Sequence, residues 1–242
     1  MSDTKPVAIV TGASRGLGLA LARRLAADGW NLVVDARGGE ALDAARAQLA
    51  GLTQVRAIAG DVADESHRAE LVAAAEQLGR LTLLVNNASL LGPSPQPALA
   101  AYPLAELERV YRVNVLAPLA LSQLVLPRLR DGGCIVNVTS DAAGEPYEGW
   151  GGYGSSKAAL EQLSAILAAE HPAIRIYAVD PGDMRTQMHQ EAFPGEDISD
   201  RPTPEESIPG MLSLIEGHLP SGRYKAREPL TASAAVGPAA AA

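Results

Sequence analysis

The chain has 242 residues, of which 47% are hydrophobic and 20% charged, and it carries a formal net charge of −8 at pH 7 with a pI near 5.0. This length fits one globular domain with a large core. The acidic balance argues against binding of nucleic acid or anionic membranes by bulk electrostatics. The single cysteine, Cys134, lies in an apolar run, so we expect a buried thiol and a reducing compartment.

The amino-terminal residues MSDTKP do not combine a basic segment with a following apolar one, as a secretory signal would. The chain also contains no uninterrupted run of about 20 apolar residues, the length that spans a bilayer. We therefore expect a cytoplasmic protein with neither a membrane nor a nucleic acid as its partner.

Short apolar runs alternate along the chain with longer segments in which apolar residues recur at helical spacing. The predicted strands cover residues 7–11, 31–36, 55–59, 81–86, 134–139 and 174–179. The predicted helices cover residues 16–28, 41–49, 64–78, 104–129 and 153–170. Continuous apolar strands separated by helices are typical of a parallel sheet covered on both faces. The sequence thus predicts a doubly wound, Rossmann-type α/β fold in a single domain over residues 1–228.

Two segments interrupt this alternation. Residues 181–204 contain four prolines and mixed charge, and they are too long for an ordinary connection, so we expect a lid or substrate loop. Residues 229–242 end in VGPAAAA and offer few side chains that could pack, so we expect a disordered tail.

A glycine-rich turn follows the first predicted strand and leads directly into a helix, with the sequence TGASRGLG from Thr11 to Gly18. Glycines at such a turn allow positive φ and close backbone approach. Exposed N–H groups and the helix N-terminus could then hold a pyrophosphate. Alternatively, the glycines only make a tight turn.

Tyr153 and Lys157 are candidates for acid/base chemistry. Tyrosine has a reference pKa of about 10 and is a poor base unless positive charge stabilises its phenolate. Lys157 lies one helical turn after Tyr153, on the same face, and is one of only three lysines against 17 arginines. Ser140 ends a predicted strand, where open α/β sheets bind ligands. The alternative is an exposed Tyr–Lys pair on an amphipathic helix.

Together these motifs resemble the short-chain dehydrogenase/reductase family, and the resemblance extends to about Ala226. It rests on the TGxxxGxG turn and on further motifs in the order of the family: Asp61-Val62, Asn86-Asn87-Ala88, Ser140, Tyr153-Gly154-Ser155-Ser156-Lys157 and Pro181-Gly182. The chain departs from the family at Ser89, where a glycine is usual. We expect this change to alter the turn beside the cofactor without removing it.

The resemblance implies a role for each member of a catalytic set. Ser140 would bind the substrate oxygen and Tyr153 would transfer the proton. Lys157 would hold the nicotinamide ribose and lower the pKa of Tyr153. Asn114 would hold a water that links Lys157 to solvent, although an asparagine inside a helix could instead be a core hydrogen-bonding residue.

The resemblance also implies a set of residues that would bind the dinucleotide. These are Gly12, Ser14, Arg15, Gly16, Leu17, Gly18, Arg37, Asp61, Val62, Asn87, Ala88, Tyr153, Lys157, Pro181, Gly182, Met184 and Thr186.

The end of the second strand indicates which dinucleotide is preferred. An acid there would bind the ribose hydroxyls of NAD, whereas an arginine would bind the 2′-phosphate of NADP. The family's acidic position falls on Ala36, and Arg37 follows it; Asp35 is one residue early, so its side chain should face the other way. Arg15 adds a second positive charge. We predict NADP(H), with NAD(H) possible if the alignment slips by one residue, and with Arg37 as a solvated loop charge in the alternative.

Other chemistries find less support in the sequence. The four histidines, at positions 67, 171, 189 and 218, lack metal-ligand spacing, and no GxSxG nucleophile elbow occurs. We predict an oxidoreductase without a metal that moves hydride between nicotinamide and a small carbonyl or alcohol compound. The alternatives are a catalytically silent dinucleotide-binding regulatory or scaffold protein, and an epimerase or dehydratase on the same scaffold.

The family usually assembles through two long helices, so we expect a homodimer or homotetramer. The apolar stripes that would serve are Leu116, Leu119 and Leu126 on one helix and Leu160, Leu163 and Leu167 on the next.

The segment between Ser140 and Tyr153 must border the substrate. Glu145 and Glu148 should bring negative charge, and Tyr147 and Trp150 should bring flat surface. The opposite rim should come from residues 184–193, with Met188 and Phe193 closing over the nicotinamide. We therefore predict a preference for neutral or cationic carbonyl compounds over those with a carboxylate. If both glutamates point into solvent, they set no preference.

Overall fold

The computed structural model describes residues 5–129 and 132–230, which contain one all-parallel sheet of seven strands in the order β3-β2-β1-β4-β5-β6-β7. The strands are β1 (Pro6–Val10), β2 (Asn31–Ala36), β3 (Val55–Ala59), β4 (Arg80–Asn86), β5 (Cys134–Val138), β6 (Arg175–Asp180) and β7 (Gly222–Lys225). The predicted doubly wound, Rossmann-type fold is confirmed.

Helices cover both faces of the sheet. They are α1 (Gly16–Ala27), α2 (Gly39–Ala50), α3 (Glu65–Leu78), α4 (Leu104–Tyr111), α5 (Ala117–Val125), α6 (Gly151–Glu170), α7 (Gln187–Ala192) and α8 (Ile208–Glu216). Side chains of β1 alternate between two buried clusters: Ala8 and Val10 pack with α1, α2 and α8, whereas Val7 and Ile9 pack with α3 and α5. The strands are buried on both sides, as their continuous apolar runs predicted.

The sequence did not predict α8 and β7. The first turn of α8 contains Pro209 and Gly210, which disfavour a helix interior, although proline is well tolerated in a first turn. Strand β7 has only four residues, GRYK, and lacks an apolar run, yet it pairs in parallel with β6. Tertiary pairing decides its conformation, and it carries Arg223 to the functional edge of the sheet.

The predicted long helix over 104–129 is present, but it contains a π-helical turn between α4 and α5, at Arg112–Leu116. Pro118 explains this turn, because a proline has no amide to donate to the carbonyl four residues earlier, which is that of Asn114. π turns are frequent at functional sites. By length and composition Leu104–Arg128 could cross a membrane, but 44% of its most apolar stretch is buried within the domain.

Most of the predicted tail, residues 231–242, lies outside the described residues. Leu230, which belongs to the predicted tail, packs against the core on the α1 and α8 face, so the prediction of disorder is wrong at this residue.

The two halves of the sheet diverge between β1 and β4. Chain connections lead outward in both directions from this point, so the strands leave a crevice at their carboxyl ends. The glycine turn after β1 and the loops after β4, β5 and β6 all open into that crevice.

Candidate functional site

A cleft of about 1130 Å³ occupies the carboxyl edge of the sheet. It is lined by every residue that the sequence assigned to the dinucleotide except Gly18, and by every predicted catalytic residue except Asn114. The sequence therefore located the cleft, and the two exceptions have structural explanations.

Gly18 acts behind the glycine turn. A Cβ atom at this position would lie 2.5 Å from both the Asn87 Nδ2 atom and the Gly12 carbonyl. The Asn87 amide fills that space and donates to the Thr11 carbonyl at 2.8 Å. Gly12 has φ +66°, and a Cβ there would lie 2.8 Å from the Ala88 Cα atom. The loops after β1 and β4 can meet only because both positions are glycine.

Two buried side chains that the sequence analysis did not assign to the site support the same turn. The Asp35 carboxylate accepts the Gly12 amide at 2.7 Å and lies 3.0 Å from the His67 Nε2 atom. Both side chains are buried, with 1% and 6% of their surfaces exposed. Gly60 makes room for the ring, because a Cβ there would lie 2.3 Å from His67 Nδ1. The sequence signals that could have indicated this pair are an aspartate within an apolar strand and a histidine on the apolar face of a helix.

The turn fits a dinucleotide phosphate on structural grounds. Helix α1 starts after Arg15, whose backbone is extended and whose side chain makes no capping hydrogen bond. Its first N–H groups therefore have no capping side chain, and Ser14 and Gly16 of the turn line the cleft. The Arg15 guanidinium donates to Gln187 at the start of α7, which ties the turn to the opposite rim.

The mouth of the cleft on the β2 side carries Arg37, which is exposed. Asp35 also lines the cleft, so its side chain does not turn away as predicted, but its carboxylate is engaged by the Gly12 amide and by His67. Of Arg37 and Asp35, Arg37 is thus the charged side chain that lies at the mouth of the cleft.

Ser140 follows β5 and precedes a short 3-10 turn, Asp141–Ala143. Its hydroxyl donates to Asp141 Oδ1 at 2.9 Å and accepts the Ala142 amide at 3.2 Å. The other carboxylate oxygen of Asp141 accepts the Tyr147 hydroxyl at 2.9 Å. The hydroxyl proton of Ser140 therefore points to the carboxylate of Asp141, a residue that the sequence analysis did not assign to the site.

Tyr153 and Lys157 lie on one buried face of α6, with the Lys157 Nζ atom 5.4 Å from the centre of the Tyr153 ring. Nζ donates to the Val138 carbonyl at 2.8 Å. Burial lowers the pKa of Lys157 to about 8, against the opposing influence of Glu161. These contacts exclude the alternative of an exposed pair.

Burial raises the pKa of Tyr153 well above its usual value, and Asp180 and Asp141 raise it further. The Ser89 side chain lowers the pKa of Tyr153 against these effects, and the lowering by Lys157 that the resemblance implies stays a prediction.

Asn114 lies beneath the cleft, in the π turn. Its Oδ1 atom accepts the Ser89 hydroxyl at 3.2 Å and the Leu90 amide at 2.8 Å. Its Nδ2 group donates to the Leu90 carbonyl at 2.9 Å and to Ser156 Oγ at 3.0 Å. All four hydrogen-bonding positions of the side chain are filled by protein groups. The side chain thus matches the core hydrogen-bonding alternative, and a water held by Asn114 stays a prediction.

Arg223 lies on β7, the strand that the sequence did not predict, and it hydrogen-bonds three residues at the back of the site. It donates to Glu161 at 2.9 Å, to Asp180 at 3.4 Å and to the Ser140 carbonyl at 3.3 Å. Asp180 also accepts the Gly182 amide at 2.8 Å, which fixes the Pro-Gly turn. This network joins the loops after β5 and β6.

An aromatic wall bounds the substrate end of the cleft. The Trp150 ring lies 5.8 Å from both Tyr153 and Phe193 and 6.4 Å from Tyr147, between ring centroids. Met188 and Phe193 both line the cleft, the former from α7 and the latter from the residue after it.

The carboxylates at this end differ from the predicted pair. Glu148 lines the cleft, but Glu145 is exposed outside it. Asp141 and Asp183 contribute the negative charge that Glu145 was expected to bring.

Comparisons with known proteins agree with this geometry. The family model described as short chain dehydrogenase matches residues 6–197. Sepiapterin reductase of Meriones unguiculatus is 36% identical over 202 residues, 77% of each chain. Serine 3-dehydrogenase of Agrobacterium fabrum is 34% identical over 185 residues, which are 74% of this chain and 72% of the relative. A short chain dehydrogenase structure from Pseudomonas syringae superposes with a TM-score of 0.85 at 33% identity, covering 92% of this chain and 95% of that one.

Proposed function

Because the chain belongs to the short-chain dehydrogenase/reductase family, we propose that it interconverts a carbonyl and an alcohol with NADP(H) through Ser140, Tyr153 and Lys157. The family assignment by itself gives the coarser function: the chain is an oxidoreductase that uses a nicotinamide dinucleotide and acts on small molecules. The roles of the named residues and the preference for NADP(H) are proposed.

One observation carries the proposal: Ser140, Tyr153 and Lys157 line the same cleft as the uncapped glycine turn. A silent dinucleotide-binding regulator would need the turn but not a buried phenol, an amine and a hydroxyl at the far end of the cleft. Burial of Tyr153 and Lys157 is costly and is well explained by chemistry at that point.

The bound dinucleotide would supply or accept the hydride. The chain's own residues would handle the substrate oxygen. Ser140 would turn its proton from Asp141 to that oxygen, and Tyr153 would give its phenolic proton to it during reduction. Lys157 would hold the ribose near the phenol, as the family resemblance implies. Trp150 and Phe193 would exclude water from the reacting centre.

The preference for NADP(H) is supported by the charges near the end of β2. Arg37 at the mouth could pair with a 2′-phosphate. The Asp35 carboxylate is engaged with Gly12 and His67, so it is poorly placed to bind ribose hydroxyls as an NAD-type acid would.

We propose a cytoplasmic enzyme that assembles as a homodimer or homotetramer through α4, α5 and α6. Leu116, in the π turn between α4 and α5, is 55% exposed and Ile166 on α6 is 43% exposed, which supports a covered surface there. Leu160 is buried within its own domain and cannot contribute to that interface.

The test is the oxidation of NADPH, followed by absorbance, with 2,3-butanedione, 1-phenyl-1,2-propanedione, cyclohexanone and dihydroxyacetone. Tyr153→Phe should lose at least about 100-fold in kcat, because a positioned acid usually contributes 10²–10⁴-fold, while NADPH binding by calorimetry is retained. Tyr111→Phe, on α4 outside the cleft, is the matched control. Turnover by Tyr153→Phe within tenfold of wild type would exclude the proposed role.

A further inference from the structure

His189 lies in α7 and lines the cleft. Its backbone is fixed, because its amide donates to Thr186 Oγ1 at 3.2 Å and its carbonyl accepts the Phe193 amide at 3.1 Å. Only 9% of its side chain is exposed. The imidazole is therefore a buried polar group beside the space in which the proposed function places the substrate.

One nitrogen of this ring has no hydrogen-bond partner. Within residues 5–129 and 132–230, no group donates to or accepts from the buried Nε2 atom of His189. Among the buried side-chain atoms in this condition in the described chain, it is the only one that belongs to a residue lining the cleft. A buried polar atom without a partner is destabilising and therefore rare. A ligand that supplies the missing hydrogen bond would explain why it is there.

The other ring nitrogen faces a carboxylate. His189 Nδ1 lies 3.9 Å from Asp183 Oδ1, which is too far for a hydrogen bond but close enough for the negative charge to favour a proton on Nδ1. In the neutral ring, Nε2 then keeps a free lone pair and can accept from a donor.

The rings beside His189 lead back to the proposed proton donor. The His189 ring centroid lies 4.8 Å from that of Phe193, which lies 5.8 Å from Trp150. Trp150 is in turn 5.8 Å from Tyr153. These rings form a continuous surface between Tyr153 and His189, and a flat substrate ring would pack along it.

We infer that His189 determines substrate specificity: its Nε2 atom accepts a hydrogen bond from a hydroxyl group at the end of the substrate remote from the reacting carbonyl. This inference rests on the proposed function. It names the substrate class as ketones with a flat ring that carries a neutral hydroxyl group. The χ2 torsion of histidine has broad minima, so a modest rotation of the ring turns Nε2 to the ligand. A neutral group suits this end because Asp141, Glu148 and Asp183 line the cleft.

The probes are methyl ketones that carry a 4-hydroxyphenyl group on a spacer of one, two or three methylene groups. Each has a partner with an unsubstituted phenyl group, so the two differ only in the hydroxyl. Wild type should reduce the best hydroxyphenyl ketone with a kcat/KM about tenfold above that of its partner, as expected for one hydrogen bond in a buried site. The methoxyphenyl ketone with the same spacer accepts but cannot donate, so it should gain nothing. Equal rates within all three pairs would overturn the inference.

Two variants separate the nitrogen from the shape of the ring. His189→Phe keeps a flat ring and removes both nitrogens, so the preference for the hydroxyl should disappear. His189→Gln has a terminal amide oxygen that can accept in place of Nε2, so it should keep the preference. His171→Phe, at the histidine that follows α6 outside the cleft, is the control and should match wild type. An unchanged preference in His189→Phe would contradict the inference, and so would an equal loss in the phenylalanine and glutamine variants.

A binding measurement distinguishes this inference from the proposed function. In Tyr153→Phe loaded with NADPH, calorimetry gives the Kd of each ketone without turnover. The hydroxyl preference should persist in this variant and disappear when His189→Phe is added. Full turnover by Tyr153→Phe would overturn the proposed function, whereas a binding preference that survives His189→Phe would overturn the role of His189.

Thermal stability gives a readout without any substrate. Because Nε2 has no partner in the described chain, His189→Phe should not lower the Tm of the protein without ligands. A lower Tm in His189→Phe that His189→Gln restores would mean that Nε2 bonds a protein group. That result would remove the observation on which the inference depends.

Discussion

The Asp35 carboxylate holds the glycine turn after β1 in place, because one of its oxygens accepts the Gly12 amide at 2.7 Å and the other lies 3.0 Å from the His67 ring. A buried carboxylate is stable only when its oxygens are hydrogen-bonded or paired, and these two partners use both of them. The pair therefore links the position of Gly12, the first glycine of the turn, to α3, which carries His67.

We expect Asp35→Ala to weaken dinucleotide binding without changing the chemical step. The Gly12 amide would lose its acceptor, at a cost of about 1–3 kcal/mol, so the KM for NADPH should rise roughly tenfold while kcat stays near wild type. Tm should fall as well. Asp43→Ala, an exposed aspartate on α2, is the control. Unchanged KM and Tm would show that the turn does not depend on Asp35.

Arg37→Asp should shift preference from NADP(H) toward NAD(H). The new carboxylate would repel a 2′-phosphate and could accept from ribose hydroxyls, a change worth about 1–3 kcal/mol. The measurement is kcat/KM with each cofactor. Arg46→Asp makes the same charge change on α2, outside the cleft, and should leave the ratio alone. Equal ratios for the two variants would mean that Arg37 does not contact the adenosine ribose.

Lys157 should make stability rise with pH in the alkaline range. Its pKa in the folded chain is about 8, below the ordinary lysine value of 10.5. Between these values the unfolded chain binds more protons, so raising the pH favours the folded state, by about 3 kcal/mol in all. Well below pH 8, Lys157 is protonated in both the folded and the unfolded chain, so the cost of burying its charge does not change with pH.

The variant Lys157→Met has no such titration. Urea unfolding of both proteins from pH 7 to pH 10.5 should show wild type gaining stability relative to Lys157→Met as pH increases. Other titrating groups are common to both proteins and cancel in the difference. Parallel curves would contradict the depressed pKa of Lys157.

Leu116→Glu should dissociate the proposed assembly, because a charge would replace a 55% exposed leucine at the expected interface. Light scattering at micromolar concentration should report a multiple of 25.1 kDa for wild type and the single mass for the variant. Leu52→Glu, an equally exposed leucine after α2, should keep the wild-type mass. A wild-type mass near that of one chain would exclude the oligomer.

A matched pair of ketones should reveal the charge preference of the substrate end. Asp141, Glu148 and Asp183 line that end, so a ketone with a carboxamide should be reduced faster than its carboxylate counterpart. The comparison is kcat/KM at one ionic strength, repeated at high salt, where the difference should shrink. Faster reduction of the carboxylate would contradict the preference.

The sheet and most of the cleft could be predicted because their determinants are local. Apolar runs predicted six strands, and the motifs predicted which loops meet at the carboxyl edge. Strand β7 lacked such a run, because its stability comes from pairing with β6, and Arg223 was therefore missed. Local sequence does not encode which residues a short edge strand will contact.

The side-chain network of the site was less predictable for a related reason. Asp35 and His67 are 32 residues apart, and Ser89 and Asn114 are 25 apart, so only the folded chain shows each pair to be partners. The resemblance assigned Asn114 a water and Lys157 an effect on the phenol. The structure shows four hydrogen bonds from the Asn114 side chain to protein groups, whereas the water and the effect of Lys157 stay predictions.

The low number of lysines has a practical consequence for immobilising the protein. Lys5 and Lys225 are exposed, whereas Lys157 has only 2% of its surface accessible. Among the lysine side chains, amine-directed coupling to a solid support would therefore modify the first two and leave the third unmodified, because it is buried. Neither exposed lysine lines the cleft, so a preparation immobilised in this way should keep the entrance to the cleft open to dissolved reactants.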